Sequence, residues 1–248
     1  MSRIIISFNN NSNLKFNQHH LQSLVYSLID SAGFRHIHDL PIGEPRFFNF
    51  SQLFKTRKGH LNLIITSPND NLIINIDEIL QKYTKLKLNG HLLNVTNTKV
   101  IQKESNLTNI KIKTETPIIV RIPKENFRNY QLVLEKDYPY FYWRPLKNVN
   151  IPLDPFVKQL ESRIYKLYKI YYENFNIPEK SIFETFNYIK SIDFPYNKNG
   201  NKIHRIGTLW EFKPYACIDG KLINFILDTG LGELTSQGYG FVNLIRIR

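Results

Sequence analysis

Cysteine is nearly absent from this chain, since Cys217 is the only one among 248 residues. A single thiol excludes an internal disulfide and any zinc or iron–sulfur site built from several cysteines. Hydrophobic residues, at 42% of the chain, are nevertheless ample to fill folded cores. A globular protein of a reducing compartment fits this composition.

Long apolar runs are also missing. No stretch of about 18 apolar residues occurs, which argues against a transmembrane helix. The start, Met-Ser-Arg followed by three isoleucines, is too short an apolar segment for a signal peptide. We therefore expect a cytoplasmic protein without a membrane partner.

Negative charge is scarce. The chain has 33 Lys and Arg against 21 Asp and Glu, a net charge of +12. Divided at Pro117, the two halves carry 14 − 8 = +6 and 19 − 13 = +6, so the excess belongs to folded surface and not to a basic tail. A basic surface attracts polyanions and releases counterions from phosphates, which favours nucleic acid as the partner. An AT-rich coding sequence that inflates lysine is the alternative explanation.

The first half of the chain alternates strand and helix signals. Asn17 is placed as an N-cap and Gly33 as the residue after the helix. The pattern predicts a strand at 3–8, a helix at 18–32, a hairpin of residues 47–54 and 61–66, a helix at 76–85 and a strand at 91–101. This order is the split βαβ layout of a ferredoxin-like domain.

The second half of the chain predicts a similar order of strands and helices, with its second helix short or missing. Extended segments at 110–121 precede a long helix, with Asp154 as N-cap and Pro155 at the first helical position. The pair Asp219-Gly220, between two apolar runs, predicts a hairpin. Residues 239–247 predict the last strand.

Glycines cluster near the C-terminus, in "GLGELTSQGYG" (residues 230–240). Neither a dinucleotide-binding loop nor a P-loop fits, because a strand and not a helix follows Gly240. The stretch "QGYGFVNL" nearly matches an RNA-recognition strand, but that fold needs a further helix and strand. A flexible turn that brings backbone N–H groups to a phosphate is one interpretation, and a purely structural turn is the other.

With "RFFNFSQLF" (46–54), "LIITSPND" (63–70) and "TETPIIVR" (114–121), this loop resembles the CRISPR-associated endoribonucleases of the RAMP superfamily. The resemblance covers residues 3–121 and 204–245. It implies an α+β protein of two tandem ferredoxin-like (RRM-like) domains, 1–113 with a catalytic loop and 114–248 with the glycine-rich loop.

The resemblance also implies an activity. Such enzymes cleave CRISPR precursor RNA within its repeats without a metal or cofactor, by attack of the ribose 2′-hydroxyl, and leave a 2′,3′-cyclic phosphate and a 5′-hydroxyl. This chemistry requires a base, an acid and a positive charge near the phosphate.

Four residues are candidates for catalysis. In "GFRHIHDLPIGEPRFF" (33–48), His38 is the first candidate and His36 the second, because the family's histidine follows the first helix. In an extended loop both side chains point the same way. Tyr26 is a weaker candidate, since it lies beside the apolar stripe of its helix. The family's lysine is absent here, so Arg46 or Lys55 is left to supply positive charge.

The predicted RNA-binding residues form two groups, one in the terminal loop and one of basic side chains. Zinc bound by His36, His38 and Asp39 is an unfavoured alternative, because a fourth ligand is lacking. The RNA-binding candidates are Gly230, Gly232, Ser236, Gln237, Gly238, Gly240, Arg35, Lys55, Arg57, Lys58, Lys158, Arg163 and Lys166.

Two other functions stay open. One is a non-catalytic repeat-RNA-binding subunit of a CRISPR ribonucleoprotein, and the other is a DNA-binding protein unrelated to CRISPR. The expected partner is CRISPR repeat RNA. Other CRISPR effector subunits and a second copy in a homodimer are left open as protein partners.

Overall fold

The structure, a computed structural model, describes residues 2–9, 17–56, 59–102, 107, 109–128, 139–145, 152–173, 180–198 and 201–246. Two antiparallel sheets organise these residues, and each sheet packs helices against its own hydrophobic core. The predicted α+β class is therefore confirmed.

The first unit is built on a sheet in which β1 lies at the centre, between β4 and β6. The sheet order is β2-β4-β1-β6-β5, with β3 also paired to β4. Its elements are β1 (Ser2–Phe8), α1 (Gln18–Ser31), α2 (Arg35–Asp39), β2 (Asn49–Phe50), β3 (Phe54–Lys55), β4 (Leu61–Ser67), α3 (Asp70–Lys82), β5 (Lys85–Leu88) and β6 (His91–Ile101).

Asparagine side chains start both long helices of this unit. Asn17 Oδ1 accepts a hydrogen bond from the His20 N–H at 2.9 Å, which confirms the predicted N-cap of α1. Asn69 Oδ1 accepts in the same way from the amide N–H of Asn71. Because of that cap, α3 begins at Asp70, six residues before the predicted start.

The second unit repeats the arrangement on the sheet β10-β11-β7-β12. The first strand of each unit is central in its sheet: β1 lies between β4 and β6, and β7 lies between β11 and β12. This is the ferredoxin-like order of strands. The elements are β7 (Ile110–Thr114), β8 (Arg121–Pro123), β9 (Tyr140–Tyr142), α4 (Asp154–Tyr171), β10 (Phe183–Lys198), β11 (Asn201–Pro214), α5 (Gly220–Thr229) and β12 (Val242–Arg246).

The predicted Asp219-Gly220 hairpin is wrong, because these residues begin α5. Asp219 Oδ1 accepts from the Lys221 N–H at 2.8 Å and caps the helix. The residues that follow are almost all buried against the second core. An aspartate that accepts from a nearby backbone N–H serves a turn and a helix start equally well, so the dipeptide alone does not distinguish them. The helix expected to be short or missing is therefore present.

The hairpin of the second unit lies earlier in the chain. Strands β10 and β11, of 16 and 14 residues, pair antiparallel from Phe183↔Pro214 to Lys198↔Asn201. Residues 195–198 therefore belong to the far end of this hairpin.

The long helix α4 is confirmed, but its first residue differs from the prediction. Leu153 occupies the N-cap position without a side-chain hydrogen bond, and Asp154 is the first helical residue, followed by Pro155. The carboxylate of Asp154 still lies in the first turn, where the helix dipole favours negative charge. No helix among the described residues is long and apolar enough to cross a membrane.

Polar contacts join the two units. The buried Arg3 of β1 donates to Asn243 Oδ1 at 2.7 Å and to two backbone carbonyls of the second unit. Thr66 of β4 donates to the carbonyl of Asp228 at 2.8 Å, and Asn49 of β2 to that of Tyr239 at 3.0 Å. The bond of Asn49 holds the glycine-rich loop against the first sheet, and the others hold α5 and β12 there.

Candidate functional site

A groove of about 1250 Å³ runs between the two units. One wall is α1 with the segment from α2 to Phe47, and the other is α4 with Arg121. Residues 233–237 of the glycine-rich loop also line it. Seven of the predicted site residues therefore line one space, namely Tyr26, His38, Arg46, Arg163, Lys166, Ser236 and Gln237.

His38 enters this groove from a short helix and not from a loop. Helix α2 spans Arg35–Asp39, so the expected extended conformation is wrong. The His38 Nδ1 lies 3.7 Å from a carboxylate oxygen of Asp30, and its ring lies 5.1 Å from that of Tyr26. This carboxylate and that of Asp39, at 4.0 Å from the same nitrogen, are too distant for a hydrogen bond and attract the imidazole when it is protonated.

His36 does not line the groove. Successive residues of a helix are rotated by about 100°, so positions 36 and 38 lie on nearly opposite faces of α2. The His36 ring packs instead 5.8 Å from Phe34. The expectation that both imidazoles face one phosphate relied on an extended backbone, which this segment does not have.

The sequence left open whether Tyr26 packs in the core or faces a catalytic site, and its side chain contacts both the first core and the groove. Its ring makes an edge contact with the buried Phe48 at 5.4 Å and is partly buried against the first core. It also lines the groove beside His38. Core packing and access to the groove are therefore combined in one side chain.

Arg46 lines the groove and also holds the end of α2. Its Nε donates to the carbonyl of Ile37 at 3.0 Å, and its Nη2 donates to the carbonyl of Leu40. Carbonyls at a helix C-terminus lack partners within the helix, so a guanidinium satisfies them well. Arg46 thereby fixes the segment that carries His38.

The opposite wall supplies the other cations of the groove. Arg163 donates to the carbonyl of Gly232 at 2.8 Å, and burial lowers the pKa of its guanidinium, against the raising effect of Glu233. Arg121 forms an ion pair with Glu233. Lys166, one helical turn from Arg163, is exposed on the same face of α4. The wall is positive and partly fixed by internal bonds.

The glycines of the terminal loop are buried. The N–H groups of Gly230, Gly238 and Gly240 donate to carbonyls of Ile226, Thr235 and Pro117. These three amides thus hold the loop together, and the side of the loop that faces the groove is the short turn that contains Ser236 and Gln237. Because these three N–H groups already donate to carbonyls of the protein, they do not form the phosphate-binding site predicted for the loop.

Several predicted basic residues lie elsewhere. Arg35 is exposed on α2 and pairs with Asp39 at 3.8 Å, and Lys55 is exposed on β3. Lys158 lines a smaller depression of about 530 Å³ on the other side of α4. Arg57 and Lys58 lie outside the described residues.

Sequence reasoning missed three residues of the groove: His19, Asp30 and Arg121. His19 and Asp30 share a helical face with Tyr26, since positions 19, 23, 26 and 30 of α1 are spaced by three and four. Extending the stripe through Tyr26 identifies both. Arg121 comes from a strand of the other unit, and no local pattern connects it to α1.

No group of three or more His, Cys, Asp or Glu side chains is arranged to hold a metal ion in the described part of the chain. The His36, His38 and Asp39 cluster considered from the sequence does not form such a group. Metal-independent chemistry remains a prediction that requires its own test.

The fold is similar to that of several solved structures. A solved structure titled "An RAMP protein binding different RNA substrates" superposes with a TM-score of 0.69 at 20% identity, over 99% of this chain and 100% of that one. Another, titled "CRISPR associated protein Cas6", gives a TM-score of 0.68 at 22% identity over the whole of both chains. The predicted pair of ferredoxin-like units is thereby confirmed.

The family itself follows from the sequence match. The model "CRISPR associated protein Cas6, C-terminal" matches residues 97–244, more than half of the chain. This chain belongs to the Cas6 family. The resemblance inferred from the terminal loop and the three strand motifs is therefore confirmed.

Two curated relatives match nearly the full length. The CRISPR-associated endoribonuclease Cas6 2 of Methanocaldococcus jannaschii is 28% identical over 244 residues, which cover 94% of this chain and 93% of the relative. The CRISPR-associated endoribonuclease Cas6 of Haloferax mediterranei is 23% identical over 236 residues, with coverage of 92% and 86%. Both names agree with the predicted enzyme class.

Proposed function

We propose that this protein is an endoribonuclease that processes CRISPR precursor RNA by cleaving it within the repeats. The observation that carries the proposal is the placement of His38, Tyr26 and Asp30 in one groove with the cations of α4. A proton carrier and a basic wall around one space are the components that phosphodiester cleavage needs. The family and the names of the curated relatives support the same function.

The proposed reaction needs no metal. A base removes the proton of the 2′-hydroxyl, O2′ bonds to the adjacent phosphorus, and the P–O5′ bond breaks while an acid protonates O5′. The products are a 2′,3′-cyclic phosphate and a 5′-hydroxyl. His38 carries out one of the two proton transfers, beside the carboxylate of Asp30. Tyr26, whose ring lies 5.1 Å from that of His38, is the candidate for the other transfer.

Side chains around the groove supply the positive charge that stabilises the negative phosphoryl oxygens. Arg46 adjoins α2, and Arg163 and Lys166 stand on the opposite wall. Arginine serves as a charge stabiliser and not as a proton donor, because it stays protonated. Ser236 and Gln237 contribute polar contacts from the glycine-rich loop.

The division into domains 1–113 and 114–248 and the RNA partner are part of the same proposal. Repeat RNA lies between the units, where both contribute to its binding. A homodimer and association with other CRISPR effector subunits remain predictions.

One assay tests the activity. Purified protein is incubated with labelled RNA of the repeat from its own CRISPR array, in EDTA, and the products are analysed for a terminal cyclic phosphate. We expect cleavage at one site in the repeat. A substrate with one deoxyribose at that site should bind with unchanged affinity and stay intact.

The same assay separates the alternatives. Binding without any cleavage would favour a non-catalytic RNA-binding subunit. Cleavage of the deoxyribose substrate would exclude 2′-hydroxyl attack. Affinity for a DNA duplex equal to that for the repeat RNA would favour a DNA-binding protein.

A further inference from the structure

Ile42 is an apolar side chain left entirely in solvent. Its exposure is 104% of the reference value, the highest of any large hydrophobic residue among those described. It lies four residues after His38 and lines the same groove. An isolated exposed hydrophobic residue is common, but one at the rim of a charged groove is a candidate contact for a ligand.

The segment that presents Ile42 is held in shape. Residues 41–44 form a turn closed by a hydrogen bond from the Glu44 N–H to the Pro41 carbonyl at 3.2 Å. Gly43, the third residue of the turn, has a φ of +101°, and a positive φ at this position is typical of a type II turn. The hydrogen bonds of Arg46 to Ile37 and Leu40 attach this turn to α2. The backbone of this turn is therefore held to α2, and the Ile42 side chain projects from it into solvent.

The opposite wall of the groove presents a matching apolar surface. Ile170 of α4 is 46% exposed, and Leu167, one turn before it, is half-buried. Both line the groove, beside Arg163 and Lys166. Apolar side chains on two facing walls, with cations between them, suit a ligand that has flat apolar faces and negative charges. A nucleotide has both, whereas a peptide or lipid tail matches only one of the two features.

We propose that Ile42 is a wedge that packs against the nucleobase next to the cleaved phosphate and, with Ile170, holds that base out of its stack. This inference rests on the proposed function of the groove. Ile42 is a positioning residue, because it contacts the substrate away from the reacting atoms. Isoleucine is among the side chains that separate stacked bases in nucleic-acid complexes.

The physical benefit is alignment of the reacting groups. Displacement at phosphorus requires O2′ and the leaving O5′ to lie in line, and a stacked helical strand holds the 2′-hydroxyl away from that line. Turning one base out of the stack frees its ribose to rotate. A side chain that already projects into the groove from a hydrogen-bonded turn performs this without a rearrangement of that turn.

The test measures base stacking and cleavage separately. Repeat RNA is prepared with 2-aminopurine at the nucleotide on either side of the cut and with deoxyribose at the cut, so that it is bound but not cleaved. The variants are Ile42→Ala, Ile42→Leu and Ile74→Ala. Ile74 is another exposed isoleucine, at 46% on α3 and outside the groove lining, and is the matched control.

We expect wild type and Ile74→Ala to increase the 2-aminopurine fluorescence on binding, and Ile42→Ala to lose most of that increase. On cleavable RNA, Ile42→Ala should lower the single-turnover rate roughly tenfold, the equivalent of losing part of one buried side chain. Ile42→Leu should restore the rate. An abasic nucleotide at the same place should be cleaved equally by Ile42→Ala and wild type, because no base then needs to be displaced.

Unchanged fluorescence and rate in Ile42→Ala would overturn the wedge while leaving the nuclease function intact. A wild type that does not cleave repeat RNA would instead refute the proposed function, and the fluorescence of the uncleavable RNA would still report on Ile42. Equal losses in Ile42→Ala and Ile74→Ala would also overturn the proposal, because they would indicate a general loss of surface contacts.

Discussion

His38 and His36 have the same side chain but different surroundings. His38 lies beside Asp30 and Tyr26 in the groove, whereas His36 packs near Phe34 outside it. The cause is the helical backbone of α2, which turns residues two apart to nearly opposite sides. A proton carrier has to reach the substrate, so only one of the pair is well placed for catalysis.

Replacing His38 by alanine is expected to slow cleavage roughly 10²- to 10⁴-fold, the usual contribution of one acid–base group. Affinity for the uncleavable repeat RNA should change little, because the lost group acts mainly in the transition state. Single-turnover kinetics and a binding titration measure the two effects. His36→Ala is the matched control and should stay within a few-fold of wild type. A larger loss in His36→Ala than in His38→Ala would contradict the geometry.

Lys166 and Lys158 provide a second matched pair. Both are exposed lysines of α4, but Lys166 lines the groove and Lys158 the smaller depression away from it. Lys166→Ala should weaken RNA binding and reduce the salt dependence of log affinity by about one unit, as expected for the loss of one phosphate contact. Lys158→Ala should have little effect on either quantity. Binding titrations at several salt concentrations compare the two variants, and identical slopes for both would argue against a phosphate contact at Lys166.

Among the elements, the glycine-rich loop has the strictest geometric requirements. Gly230, Gly232, Gly238 and Gly240 all have positive φ, which side chains other than glycine rarely adopt. A Cβ at Gly240 would also collide with the carbonyl of Leu231. The loop therefore depends on glycine for space as well as for backbone angle. It acts as a packed joint between the units that presents residues 234–237 to the groove.

Gly240→Ala is expected to lower the free energy of unfolding by clearly more than the roughly 1–2 kcal/mol that a left-handed conformation costs an alanine. The matched control is Gly90→Ala. Gly90 has a similar φ of +80°, but nothing lies within 4 Å of the added Cβ. Denaturant unfolding of both variants separates strain from collision. Equal losses would show that only the backbone angle matters at Gly240.

The elements that sequence patterns predicted correctly are those with long periodic signals. Helices α1 and α4 and strands β1, β4 and β6 have apolar residues at regular spacing over many positions. The errors come from short local signals. Asp219-Gly220 suits both a turn and a helix start, so the predicted hairpin falls on α5 instead of on β10 and β11, and the five residues of α2 are too few for a periodic helix signal. Such short segments are decided by what they pack against.

In the whole molecule, Arg3 links the two units. It is buried to 7% exposure, and its guanidinium donates to Asn243, Leu227 and Val242 across the interface. It also lies 5.7 Å from the centroid of the Phe241 ring. A buried charge with several hydrogen bonds fixes geometry, because removing it leaves its acceptors without a donor.

Arg3→Ala should therefore lower the free energy of unfolding by roughly 1–3 kcal/mol for each acceptor that is left buried without a donor. The control, Lys213→Ala, removes an exposed ion pair with Glu184 and should cost at most about 1 kcal/mol. Chemical denaturation measures both. A small loss for Arg3→Ala would mean that the interface does not depend on these bonds.

The groove is the feature that sequence patterns predicted least completely. The family resemblance identified His38, Tyr26, Ser236 and Gln237 as candidate site residues, and all four line the groove. Arg121 and the apolar surface of Ile42 and Ile170 were not found. Their positions depend on the packing of α4 against the glycine-rich loop, a contact between segments far apart in the chain, and on the turn of residues 41–44 that Arg46 attaches to α2.

Composition, charge and periodicity by themselves determined a basic α+β protein with two similar rounds of strands and helices, because burial patterns and net charge are properties of local sequence. Only the tertiary structure decided which candidate residues share a space. That choice depends on the backbone of short segments such as α2 and on hydrogen bonds across the interface, which arise only when the two units pack together. For this reason His38 lies in the groove and His36 does not.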